Sequence, residues 1–184
     1  MNILLDKLPK EYEGIKINTD FRAFILFELL MQDNELTIEE KISSLIDIFC
    51  ENVTDIDKCI EAILWFYRCG KDEEKKRQTA EKSSNKQIYS YEFDDEYIYS
   101  AFLQQYNINL NSIKYLHWWE FRALMKGLNE DTQFVKIMGY RSIDLGKIKD
   151  KDEKKRYKEL QKLYALPDMR TDEQKEADFG KAFW

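Results

Sequence analysis

Two prolines and six glycines are the only strong backbone breakers in 184 residues. So few interruptions, in a chain that otherwise repeats apolar residues at helical spacing, point to an all-α protein. Histidine occurs once and cysteine three times, with no CxxC pair, so a four-ligand zinc site would need a carboxylate to complete it. Cys50, Cys59 and Cys69 are read instead as reduced thiols acting as small apolar residues. No stretch approaches the ~20 apolar residues of a membrane span. The start, MNILLDKLPKEYEG, lacks the basic-then-apolar order of a secretory signal, which places the protein in a cytoplasm.

A surplus of positive charge is also missing. Lys and Arg number 29 against 35 Asp and Glu, giving a net charge of -6 and a pI near 5.1. That balance argues against a protein whose main task is gripping phosphate. Nor does the chain contain a GxSxG, Walker or HExxH pattern. The DFG at Asp178 to Gly180 has no accompanying kinase motif and is a coincidence of three letters.

What is present is apolar material, 43% of the chain with 14% aromatic, enough for one ordinary domain. The expected fold is a compact all-α domain of roughly six to eight helices in two halves, with room for a short N-terminal hairpin around Ile15-Lys16-Ile17. Residues 1–70 form the first half. Thr19 or Asp20 can cap a first helix, FRAFILFELLM, apolar on most sides and so expected to be buried by several neighbours. Thr37 and Glu40 have the spacing of a capping box before Ile38, Ile42, Leu45, Ile46 and Phe49. From Thr54 a third helix carries Ile56, Cys59, Ile60, Ile63, Phe66 and Tyr67, and Gly70 is placed to close it in the left-handed conformation.

Residues 71–87, KDEEKKRQTAEKSSNKQ, contain one alanine and no other apolar residue, and read as a charged linker or loop. Residues 88–166 form the second half. Asp94, Asp95 and Glu96 precede Ile98, Ala101 and Phe102, where a helix amino terminus favours negative charge. Asp131 can cap a helix containing Phe134, Ile137 and Met138. Residues 147–162 hold eight basic and four acidic residues and read as a charged surface helix stopped by Pro167. Residues 167–184 are a polar tail ending in Phe183 and Trp184.

The segment YLHWWEFRALMKGL, residues 115–128, gathers the single histidine and two of the four tryptophans. A catalytic reading makes His117 a general acid or base oriented by Glu120, but no nucleophile, phosphate loop or metal pattern completes it. We therefore expect no catalytic, cofactor-binding or metal-binding residue and no enzymatic activity. On a helical wheel apolar groups surround the segment, so it must be covered by its own chain, by a partner, or by both. Arg122, four residues after Trp118, can stack on its indole and still present a charged fork outward. Trp118, Trp119, Arg122, Met125 and Trp184 are the expected protein-interaction residues.

Taken in order, INTDFRAFILFELL, YSYEFDDEYIYSAFLQQYNINL, YLHWWEFRALMKGL, DTQFVKIMGYRSIDLGKIKD and KLYALPD resemble the gene-product-fifteen family of siphophages and prophages of Gram-positive bacteria. The resemblance implies a non-enzymatic tail-assembly chaperone in the bacterial host cytoplasm. Such a protein would bind the tape-measure protein and other tail assembly proteins, with self-association left open by the sequence. Neither membrane nor nucleic acid is expected as a partner. The alternative is a phage regulator or host-interaction protein that touches nucleic acid or an acidic protein through 147–162.

Overall fold

Glu13 and Gly14 both take positive φ, 47° and 81°, the requirement of a two-residue turn whose twist matches that of paired strands. They join β1 (Glu11–Tyr12) to β2 (Ile15–Lys16) in an antiparallel hairpin, with Glu11 opposite Lys16 and Tyr12 opposite Ile15. The structure, a computed structural model, describes residues 2–51, 53, 55–71 and 87–168. Among them are seven helices: α1 (Phe21–Gln32), α2 (Ile38–Phe49), α3 (Ile56–Tyr67), α4 (Asp95–Tyr106), α5 (Trp118–Lys126), α6 (Gln133–Ser142) and α7 (Lys151–Leu163). The fold is the mostly helical one expected from the sequence, with the hairpin as its only sheet among the described residues.

The caps explain where the helices begin. Asp20, not Thr19, starts α1, its carboxylate accepting from Arg22 N at 3.0 Å, while Thr19 Oγ1 pairs with the Tyr115 hydroxyl at 2.7 Å. The expected capping box opens α2: Glu40 N donates to Thr37 Oγ1 at 3.3 Å and Thr37 N to the Glu40 carboxylate at 2.9 Å. Asp55 caps α3 through Lys58 N, and Asp150 caps α7 through Glu153 N. Thr132 rather than Asp131 caps α6, because its hydroxyl is the group that meets Val135 N.

Two expectations about burial change. Helix α1 buries Phe21, Ala23, Phe24 and Phe27, yet Leu26 and Met31 remain about half exposed, so one of its apolar sides is uncovered. Helix α2 buries Leu45 and Phe49 and leaves Ile38, at its first turn, open to water. Residues 72–86, most of the expected linker, lie outside the described residues, as does the tail from 169 onward.

Helix α5 is the connector. It packs on α1 and on α3, α4 packs on α6, and α6 carries α7. One continuous apolar cluster therefore draws on both sides of the 72–86 segment, with Phe24 and Phe66 from one side and Phe102, Trp118, Phe121 and Phe134 from the other, all fully buried. The flat rings of this cluster stack in series. Phe24 lies 5.0 Å from Trp118 at 14°, and Phe121 lies 5.1 Å from Phe102 at 11° and 4.8 Å from Phe21 at 17°. Such pairs add about 0.5 to 1.5 kcal/mol each beyond area burial.

Candidate functional site

His117 is not a member of the helix that follows it but its cap. The ring Nδ1 accepts from Trp119 N at 3.0 Å, and Nε2 stands 2.9 Å from the Pro9 carbonyl oxygen. A carbonyl can only accept, so the proton sits on Nε2 and the ring is the neutral tautomer. Burial holds its pKa below 6.5, against the smaller raising effects of Pro9 and Glu120. Glu120 does reach back one turn, but its carboxylate receives the His117 backbone N–H at 3.3 Å, completing a capping box. Both imidazole nitrogens are thereby engaged in holding the hairpin approach and the start of α5.

The two indoles are equally committed. Trp118 Nε1 donates to Tyr67 O at 3.2 Å and Trp119 Nε1 to Phe66 O at 2.7 Å, so both receive the carbonyl ends of α3. Trp118 is 0% exposed and Trp119 5%. The chain's own aromatic residues cover both indoles almost completely, so in this fold they serve as core.

Arg122 does stack on Trp118, with its guanidinium 5.2 Å from that ring and 5.9 Å from Tyr67. Its charged end turns toward the protein instead of outward, 3.9 Å from a Glu28 carboxylate oxygen that also accepts from the Tyr67 hydroxyl at 3.0 Å. Burial raises the Glu28 carboxyl above its ordinary range, and lifts the Tyr67, Tyr89 and Tyr91 hydroxyls above theirs.

Arg122 and Met125 line a pocket of about 280 Å³ between α5 and α6. Its walls are Tyr89, Tyr91, Leu128, Phe134, Val135 and Met138. The Tyr91 hydroxyl is buried there with no hydrogen-bond partner. Thus two of the expected interaction residues, Arg122 and Met125, share a concave apolar site that Trp118 and Trp119 do not line, and Trp184 lies outside the described residues.

Sequence reasoning missed a second buried device. Asp94 has been assigned above to the amino terminus of α4, yet it makes no cap bond. Its carboxylate is fully buried, taking both arms of Arg141 at 2.6 and 2.9 Å and Ser90 N at 2.9 Å. Asp95 and Glu96 occupy the first turn in its place. Arg141 also donates to Tyr164 O at 2.6 Å and Ile88 O at 3.1 Å, so one guanidinium ties α6 to the start of the second segment and the end of α7. The signal was available: Phe134, Ile137 and Arg141 stand at i, i+3 and i+7, which puts the arginine on the buried face.

Among the described residues no group of three or more side chains is placed to hold a metal ion, and no helix is long and apolar enough to cross a membrane. The cysteines are free thiols; burial, with Cys59 adjacent, pushes Cys50 up to about 12, which suppresses its thiolate.

Fold and site together define a mostly helical protein with an aromatic connector helix and an apolar pocket against it. The chain belongs to the bacteriophage Gp15 protein family, whose sequence profile matches residues 4–166. That membership makes it a phage protein of structural or assembly type. No curated protein and no solved structure matches the chain.

Proposed function

We propose that the protein is a non-enzymatic chaperone of siphophage tail assembly, acting in the bacterial host cytoplasm on helical segments of the tape-measure protein. The pocket between α5 and α6 carries this reading. It offers Met125 and Met138, side chains that repack around different apolar groups, beside the Arg122 guanidinium, which can take a polar group of the client. A client helix would insert one large apolar side chain there, the anchoring mode of helix-in-groove recognition. Family membership and the mostly helical fold agree with such a role.

Co-expression with the tape-measure protein tests it. The account expects a soluble complex that co-elutes, and expects Met125→Glu or Val135→Glu to abolish it while far-ultraviolet circular dichroism stays unchanged. A tape measure that remains insoluble beside the folded wild-type protein would refute the assignment.

A further inference from the structure

Charge is unevenly placed on this chain. Residues 1–70 hold fourteen acidic and seven basic side chains, against four acidic and eight basic in 147–162. Helix α7 sharpens the contrast. Lys151, Lys154, Lys155, Lys158 and Lys162 recur at i, i+3, i+4, i+7 and i+11, which gathers them on one side of the helix, and all are exposed. An adjoining side fastens α7 to α6: the Gln161 amide donates to Tyr140 O at 2.9 Å and Ile143 O at 2.8 Å, and Tyr157 packs near Tyr140. Beside the lysine stripe, at the helix end, Leu163 is 72% exposed.

The complementary surface lies between α1 and α2. A groove of about 600 Å³ has Leu26, Leu29, Leu30 and Ile48 as its floor. Asp33, Glu35 and Glu92 form its rim, and no Lys or Arg lines it. Lys41 nearby is turned to the Met31 carbonyl.

We propose that the α7 stripe of one copy docks on the α1/α2 groove of a second copy. Leu163 would enter the apolar floor while Lys155, Lys158 and Lys162 meet the acidic rim. Because α7 is fastened along that adjoining side, the same molecule's stripe is not free to fold into its own groove. The two surfaces differ, so the contact is head-to-tail and propagates into short chains or a ring instead of stopping at a symmetric dimer. A second copy fits better than nucleic acid, since the α1/α2 groove offers both an acidic rim for the lysines and an apolar floor for Leu163, which a phosphate backbone lacks. The association is weak and salt-sensitive, as contacts between exposed charges are. It stands independently of the client reading.

Sedimentation velocity on the full chain tests it. At low salt the sedimentation coefficient should rise with concentration, and the rise should vanish near ~1 M salt, where the screening length is about 3 Å. Charge reversal on either surface, Glu35→Lys with Glu92→Lys or Lys155→Glu with Lys158→Glu and Lys162→Glu, should give monomers. An equimolar mixture of the two variants should regain growth beyond the dimer, since unaltered stripe pairs with unaltered groove and reversed stripe with reversed groove. Carrying both reversals on one chain should restore growth beyond the dimer. A wild-type chain that stays monomeric at low salt, or a stripe that retards duplex DNA while the chain stays monomeric, would overturn the proposal.

Discussion

His117 donates to Pro9 through Nε2 and accepts from Trp119 through Nδ1, so protonating it would turn an acceptor into a second donor aimed at an N–H. The folded chain therefore binds that proton less readily than the unfolded chain, whose histidine titrates near 6.5. The sign follows: this residue's contribution is constant above about pH 6.5 and is lost as pH falls toward the lower folded pKa. Denaturant titrations of wild type and His117→Asn between about pH 7 and 5 should converge as pH falls. Asn keeps a cap acceptor and loses the Pro9 bond, so at neutral pH it should cost about 1 kcal/mol, with His117→Ala roughly 1 kcal/mol worse. Asp94 and Arg141 predict a larger effect. Asp94→Asn leaves a buried guanidinium uncompensated and should cost about 3 to 5 kcal/mol. Adding Arg141→Met should cost much less than the sum of the single changes, a coupling read by a double-mutant cycle of chemical unfolding.

Gly70 closes its helix locally, while a neighbour far along the chain limits what can replace it. Cys69 and Gly70 both take positive φ, 57° and 65°, reversing the chain after α3. A Cβ on Gly70 would stand 2.9 Å from Cη2 of Trp119 and 3.2 Å from Trp65. Gly70→Ala should therefore lower stability by about 1 to 3 kcal/mol, through strain at positive φ and crowding of both indoles. The same position marks what was legible beforehand. The role of Gly70 as a left-handed helix stop, the Thr37–Glu40 box and the hairpin before Asp20 were readable because each is set by residues a few positions apart. The partners of Asp94 and Arg122 were not, because Arg141 lies 47 residues from the first and Glu28 lies 94 from the second. An acid before a helix is a cap by local rules, and only the fold brings the guanidinium that takes it. For α5, apolar groups all round the wheel correctly required a cover, but which surface supplied it depended on α1 and α3.

At the scale of the whole molecule, the indole pair joins two sequence segments into one apolar cluster. Trp118 and Trp119 take the terminal carbonyls of α3, Trp118 also stacks on Phe24 of α1, and a concave apolar pocket lies between α5 and α6. The charge asymmetry belongs to the same scale, with an acidic rim on the α1/α2 groove and an exposed lysine stripe along α7. If the cluster is one cooperative unit, the indole N–H groups open only when the domain unfolds. Hydrogen exchange of those two protons, followed by nuclear magnetic resonance, tests this directly. The account predicts that both exchange in step with the slowest amides of α1 and α4, with the free energy of global unfolding. Rapid exchange of either indole proton, at the rate of an exposed tryptophan while α1 stays protected, would contradict it.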